Sequence, residues 1–173
     1  ASVDAFETTG WTISQQVDQR ALRAAIQRVH WELEVLREPR RNPLFYVQQT
    51  LGSVFELLIL TGPIDDDRAT ALLERFAHIP ETLKHARENL DEPVGPFAEA
   101  TIATLADIDE RLDQVSGALV PEVPESFKKD LQRAINKAEK SLISYQKWLA
   151  RERDGMREAF AIGPDACSAP ASA

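Results

Sequence analysis

Apolar side chains recur at every third or fourth position along almost the whole of this sequence. Residues spaced in this way lie on one face of an α-helix, where they can pack against a neighbouring element. No segment alternates apolar and polar residues between turn signals, as a half-buried β-strand would. The pattern therefore predicts an all-α fold, a bundle of about five long helices.

The clearest helical pattern covers the C-terminal part of the chain. Its apolar residues fall within a narrow arc of a helical wheel: Phe127, Leu131, Ala134, Ile135, Ala138, Leu142, Tyr145, Leu149, Met156 and Phe160. Pro124 and Ser126 mark the predicted start, and Gly163 with Pro164 the stop. The helix is expected to be unusually long, about 35 residues or about 50 Å. Gly155 is a predicted weak point inside it, because glycine costs about 1 kcal/mol relative to alanine.

Two further segments share this periodicity. Consecutive aspartates beginning at Asp65 open the first, which continues to Leu90 and contains Pro80. Its apolar stripe consists of Leu72, Phe76, Ile79, Leu83, Ala86 and Leu90. Because proline lacks an N–H and clashes one turn back, we expect a kink or two short helices at Pro80. The second follows Pro96 and is predicted as one helix over residues 97–119. Linkers are predicted at residues 37–41, 61–64, 91–95 and 120–123.

The first helix, predicted over residues 12–37, has two apolar faces. One face carries Leu22, Ala25, Ile26, Val29, Leu33 and Leu36, and the nearly opposite face carries Ile13, Val17, Ala24, Trp31 and Val35. A helix with two apolar faces is expected between two layers, inside one bundle or at a boundary with another body. The helices therefore have more apolar surface than they can bury among themselves, and a further body is expected to cover the rest.

Residues 42–60, NPLFYVQQTLGSVFELLIL, are apolar on almost every side. Asn42 as N-cap with Pro43 at the first helical position forms a well-defined helix start. A membrane-spanning helix needs about 20 predominantly apolar residues, whereas Gln48, Gln49 and Glu56 interrupt this stretch. The segment is therefore predicted to be a buried central helix of a water-soluble bundle, with no membrane span.

The 173 residues predict one helical domain, or a fragment of a larger helical protein, over residues 1–162. Residues 163–173 are small, polar or helix-breaking and are expected to be a disordered tail. A net charge of −8 argues against a nucleic-acid-binding surface. The basic residues of the last helix alternate with acidic ones, which is typical of a solvated face. The sequence does not determine the cellular compartment. The single cysteine excludes an internal disulfide, and the absence of disulfides is compatible with the cytosol without requiring it.

Candidate catalytic chemistry is sparse. His30 and Glu34 lie four residues apart, but the order is wrong for a zinc motif and the spacing is typical of a solvated pair. His78 and His85 are separated by Pro80 and are predicted to be surface residues. The stretch DIDERLD, residues 107–113, has Arg111 at a ligand position of a calcium loop and no glycine after it, and is predicted to be a solvated helix face. Cys167 has no base near it in sequence. No catalytic, cofactor-binding or metal-binding residue is predicted.

Four segments resemble, in their order, the N-terminal helical region of a bacterial family, domain of unknown function 885. They are WELEVLR at residues 31–37, NPLFYVQQTLGSVFELLIL at 42–60, LLERFAHIPETLKHARENL at 72–90 and PFAEATIATL at 96–105. The resemblance extends to REAFAIG at residues 157–163. Full-length members of that family look like zinc metallopeptidases, and their presumed His-Glu-Gly-x-Pro-Gly-His metal segment lies downstream of the matched region. This sequence contains no such run, so no catalytic residue and no zinc site is carried over.

The resemblance implies a non-catalytic helical part that packs against, or covers, a catalytic body absent from this chain. The alternative is a stand-alone helical interaction module that forms a homodimer. The expected partner is thus the remainder of a longer polypeptide or a second copy. Because the chain begins with Ala1 and shows no signal segment, we expect a processed or internal N-terminus.

Overall fold

The computed structural model describes residues 8–163 and confirms the all-α prediction. Within these residues no strand forms, and the one β-type pairing is an isolated bridge between Val94 and Arg157. The helices are α1 Ile13–His30, α2 Glu38–Arg41, α3 Pro43–Val47, α4 Ser53–Leu58, α5 Asp66–Asn89, α6 Gly95–Thr104, α7 Ile108–Leu119 and α8 Glu125–Glu152. A π-helical turn, Trp31–Val35, continues α1, and another, Gln48–Gly52, joins α3 to α4. Short 3₁₀ turns, Val120–Glu122 and Arg153–Gly155, precede and follow α8.

The backbone divides into two compact units. One contains residues 1–38 and 161–173, of which 8–38 and 161–163 are described, and the other contains residues 39–160. The predicted disordered tail lies, apart from Gly163, outside the described residues. A single domain over residues 1–162 stays a prediction.

The core of residues 39–160 is built on α5 and α8, which contact each other more extensively than any other pair of helices. The buried residues of α5 are Ala69, Leu72, Phe76, Ile79, Leu83 and Ala86. Those of α8 are Leu131, Ala134, Ile135, Ala138, Leu142, Tyr145 and Leu149. Both sets follow the predicted apolar stripes, so the two faces that the sequence assigned to the core are buried.

Helix α5 runs without interruption through Pro80. It begins where the sequence predicted, because the Asp65 carboxylate accepts a hydrogen bond from the Arg68 N–H at 2.9 Å. The alternative of two short helices is therefore wrong. The buried residues on both sides of Pro80, Ile79 and Leu83, belong to one continuous core face. Tertiary packing thus outweighs the local cost of proline, while a kink at Pro80 stays a prediction.

The last helix is the longest of the described chain, but it is shorter than predicted. It contains 28 residues and ends at Glu152, and Gly155 lies in the following 3₁₀ turn. The chain then turns back, so that the Arg157 N–H donates to the Pro93 carbonyl at 3.2 Å. In return the Gly95 N–H donates to the Arg157 carbonyl at 2.8 Å. These bonds, together with the weak helix propensity of glycine, end the helix early.

The single helix predicted over residues 97–119 is two helices. α6 ends at Thr104 and α7 begins at Ile108, with the buried Leu105 in the turn between them. The Thr104 hydroxyl donates to the Ala100 carbonyl at 2.8 Å, and Arg111 donates to the Thr104 carbonyl. Such side-chain bonds satisfy the exposed carbonyls at a helix end and favour termination there.

Residues 43–58 are helical, and the start at Asn42 is confirmed: its side chain accepts from the Leu44 N–H at 3.0 Å. Only one face of this segment is buried, however, and it carries Tyr46, Val47, Thr50 and Val54. The prediction of a buried central helix is therefore wrong for the opposite face. No helix among residues 8–163 is both long enough and apolar enough to cross a membrane.

Two tyrosines anchor the start of this segment to the core. The Tyr46 hydroxyl donates to the Pro39 carbonyl at 2.7 Å, and the Tyr145 hydroxyl donates to the Pro43 carbonyl at 3.2 Å. Burial raises the pKa of both phenols above their ordinary value, and a hydrogen bond with Asn89 partly opposes this rise in the pKa of Tyr46.

These raised pKa values predict a loss of stability in alkali. The unfolded phenols lose their protons near pH 10, whereas the folded phenols keep theirs, so their contribution is present below about pH 10 and is lost above it. Phenolate absorbance, titrated with and without urea, should show both tyrosines ionising at higher pH in the folded chain. Tyr145→Phe should remove the more strongly shifted of the two transitions. Ordinary titration of both phenols in the folded chain would contradict the prediction.

Candidate protein-interaction surfaces

The three histidines considered as candidate catalytic residues lie on helix surfaces. His30 lies on α1, while His78 and His85 lie on α5, and all three are exposed. The His78 Nδ1 atom lies 2.7 Å from the Glu74 carbonyl oxygen of its own helix. Among residues 8–163 no group of three or more side chains of the types that bind metals is close enough to hold an ion.

Of the other two candidates, only residues 107–113 belong to the described part of the chain. Residues 107–113 form the start of α7, with Asp107 at its N-cap position, and Arg111 contacts the end of α6. Cys167 lies outside the described residues.

The helix α1 has a well-defined beginning. Thr12 and Gln15 form a reciprocal capping box, in which the Thr12 N–H donates to Gln15 Oε1 at 2.9 Å. The Gln15 N–H donates in return to the Thr12 hydroxyl oxygen at 3.3 Å. This arrangement satisfies two of the free N–H groups at the helix start. The helix therefore begins from local interactions, although none of its residues is buried.

One face of α1 and its π-helical turn presents a continuous apolar surface, which we name the α1 stripe. It consists of Leu22, Ile26, Val29 and Leu33, whose exposed fractions lie between 44% and 54%. The residues repeat at intervals of four, three and four, so they follow one line along the helix. Contiguous exposed apolar surface of this kind typically marks a protein or membrane contact.

The opposite face of α1 is unevenly covered. Ile13 and Val17 are exposed, whereas Trp31 and Val35 are half-buried. The sequence therefore identified two apolar faces correctly, and the structure leaves much of both open to solvent.

A second apolar surface lies in the unit formed by residues 39–160, and we name it the Phe55 patch. It consists of the exposed Phe55, Ile59 and Leu60 at the end of α4. Beside it is a cleft of about 270 Å³ lined by Leu51, Val54, Phe55, Leu58, Phe76, Ile108, Arg111, Leu112 and Val115. Sequence reasoning missed this patch because it treated the whole apolar segment as buried. The spacing of Phe55 and Ile59, four residues apart, could have indicated a separate face.

Arg68 holds the patch in place. Its guanidinium donates to the carbonyls of Leu57 at 2.7 Å and of Leu60 at 3.0 Å, and to that of Gly62 at 3.1 Å. The Leu57 carbonyl lies in the last turn of α4, where a helix leaves acceptors without partners, and the carbonyls of Leu60 and Gly62 follow that turn. Arg68 therefore caps α4 from outside and fixes the direction in which the following apolar residues project.

The main polar cluster is structural. Arg153 pairs with Glu99 at 2.6 Å and with Glu158 at 2.7 Å, joining α6 to the segment that follows α8. The guanidinium lies against the Gly95 backbone, where an added Cβ would come within 2.6 Å of Arg153 Nη1. Because its charges pair with one another, the cluster fastens the chain and offers no evident ligand site.

A scan against protein-family models finds no matching family, and searches of curated proteins and of solved structures find no match either. The class of protein is therefore defined by the fold and surfaces alone. It is an all-α helical protein whose main candidate sites are exposed apolar faces.

Proposed function

We propose that this chain is a non-catalytic helical module that binds another protein through the α1 stripe. One observation carries the proposal: α1 has no buried residue, yet Leu22, Ile26 and Val29 form an ordered apolar line along it. Burying such side chains provides the main favourable free energy of protein association.

One partner is the catalytic body of a metallopeptidase-like protein, as the resemblance to domain of unknown function 885 implies. In that case the α1 stripe and the Phe55 patch are two surfaces by which the helical part packs against, or covers, the catalytic part. The exposed fractions of Phe55 and Ile59, 61% and 60%, support this proposal because a larger body would bury them.

The second candidate is a homodimer, in which the partner is another copy of this chain. The intervals of four, three and four residues in the α1 stripe favour it, because they match the a and d positions of a coiled coil.

The proposal predicts that the α1 stripe contributes to binding and not to the stability of the chain itself. In the double variant Ile26→Gln with Leu33→Gln, glutamine keeps the helix propensity but removes the apolar surface. We expect the free energy of unfolding, measured in urea, to change by less than about 0.5 kcal/mol per substitution, as at other exposed sites. Binding of a hydrophobic dye should fall.

The matched control is Leu72→Gln with Leu83→Gln, which alters two buried residues of α5. This pair should unfold the chain or lower its stability strongly, because each glutamine would place an amide in the core. A similar loss of stability in the Ile26 and Leu33 variant would show that the stripe belongs to the chain's own core, and would overturn the proposed function.

A further inference from the structure

We propose that the partner of the α1 stripe is a second copy of this chain, with the two α1 helices parallel in a short two-stranded coiled coil. This inference rests on the proposed function, in which the stripe is a protein-binding surface. It selects the second copy from the two candidate partners, and adds the orientation of the helices and the residues that set this orientation.

The stripe has the spacing of a coiled-coil seam. With Ile26 and Leu33 at a positions, Leu22 and Val29 occupy d positions. Each of the four side chains is about half exposed, so a second helix has apolar area to cover along the whole line. The preceding a position is Gln19. Its polar side chain therefore limits the apolar seam to these four residues.

Charges beside the seam favour the parallel orientation. In a parallel pair, a g residue faces the e residue five positions further along the partner helix. Asp18 is a g residue and Arg23 is the corresponding e residue, so two opposite-charge pairs form by symmetry. In the antiparallel pair that aligns Leu22 with Leu33, Arg23 would instead lie near His30, and Asp18 would lose this partner.

The seam is short, because it contains only four apolar layers, and the last of them, Leu33, lies inside the π-helical turn Trp31–Val35, where the helix geometry changes. Its contact area falls at the small end of protein interfaces. We therefore expect weak association, with a dissociation constant of about 10–100 µM, and not a permanent dimer.

Sedimentation of the full chain over a range of concentrations tests the inference. We expect a reversible monomer–dimer equilibrium that Ile26→Gln with Leu33→Gln abolishes. Asp18→Arg should weaken the dimer about 10-fold, because it replaces two attractive pairs by repulsion between arginines. Combining Asp18→Arg with Arg23→Asp should restore it, because the swap recreates both pairs with the charges exchanged.

Cross-linking tests the orientation independently. In a Cys167→Ser background, Leu22→Cys should give a disulfide-linked dimer on oxidation, because a parallel seam places the two d residues opposite each other. Leu22→Cys mixed with Leu33→Cys should give little mixed product. Preferential formation of the mixed product would show antiparallel helices and overturn the inference.

Two further results would also overturn it. A chain that stays monomeric at all concentrations has no second copy as partner. A dimer that persists in the Ile26 and Leu33 variant uses another surface, and loss of that dimer in Phe55→Gln would assign it to the Phe55 patch. Neither result affects the proposed function, which is judged by the stability of the Ile26 and Leu33 variant.

Discussion

Truncating Phe76 to alanine is expected to lower the free energy of unfolding by about 3–5 kcal/mol, as for other buried phenylalanines. The ring is completely buried in the middle of α5 and forms part of the wall beside the Phe55 patch. Its removal loses both the transfer free energy of the ring and the contacts of the residues around it. Urea unfolding, followed by circular dichroism, measures the difference.

Phe55→Ala is the matched control, because it removes the same atoms from the same cleft. Phe55 is 61% exposed, so we expect a change of less than about 0.5 kcal/mol. Equal effects of the two substitutions would show that Phe55 is buried in solution and that the patch is not free to bind a partner. The difference between the two unfolding free energies thus shows whether Phe76 is part of the core while Phe55 remains exposed and available to a partner.

The sequence predicted the core face of the two long helices correctly. Both α5 and α8 are amphipathic over many turns, and their apolar sides meet each other. Where a helix buries one side along its whole length, hydrophobic periodicity alone identifies that side. Leu72, Leu83, Leu142 and Leu149 are examples.

Helix ends were predicted less well, because distant parts of the chain determine them. Nothing near Glu152 indicates that Arg157 will pair with the backbone of Pro93 and Gly95. Similarly, the break after Thr104 depends on a turn that inserts Leu105 into the core. The hydrophobic periodicity continues through both points, so a helical wheel does not show where either helix ends.

Of the two candidate surfaces, the α1 stripe could be predicted from the sequence, whereas the Phe55 patch could not. Leu22, Ile26, Val29 and Leu33 could be grouped on one face of α1 from their spacing, and the structure shows this face half exposed. The spacing of Phe55 and Ile59 places them on one face, but the exposure of that face could not be predicted, because an apolar composition does not indicate how many sides of a helix have neighbours. Only the packing of α4 against α5 on one side reveals the open face.

Proline at position 80 is the clearest conflict between local preference and fold, and removing it is expected to stabilise the protein. Proline inside a helix costs about 3 kcal/mol relative to alanine. Replacing it also raises the conformational entropy of the unfolded chain, which reduces the gain in stability by about 0.4–1 kcal/mol. Pro80→Ala should therefore raise the free energy of unfolding by about 2 kcal/mol, because a new N–H can donate to the Phe76 carbonyl one turn earlier.

Pro63→Ala is the control, since Pro63 lies in the exposed loop before α5 and interrupts no helix. Here only the unfolded-state effect remains, so we expect a loss of up to about 1 kcal/mol, opposite in sign to the change at Pro80. Urea unfolding of both variants separates the two effects. If Pro80→Ala also destabilises the chain, α5 needs the distortion that proline imposes in order to place Phe76 and Leu83 against α8. In that case Pro80 is a determinant of the core's shape, and the continuous apolar face of α5 depends on it.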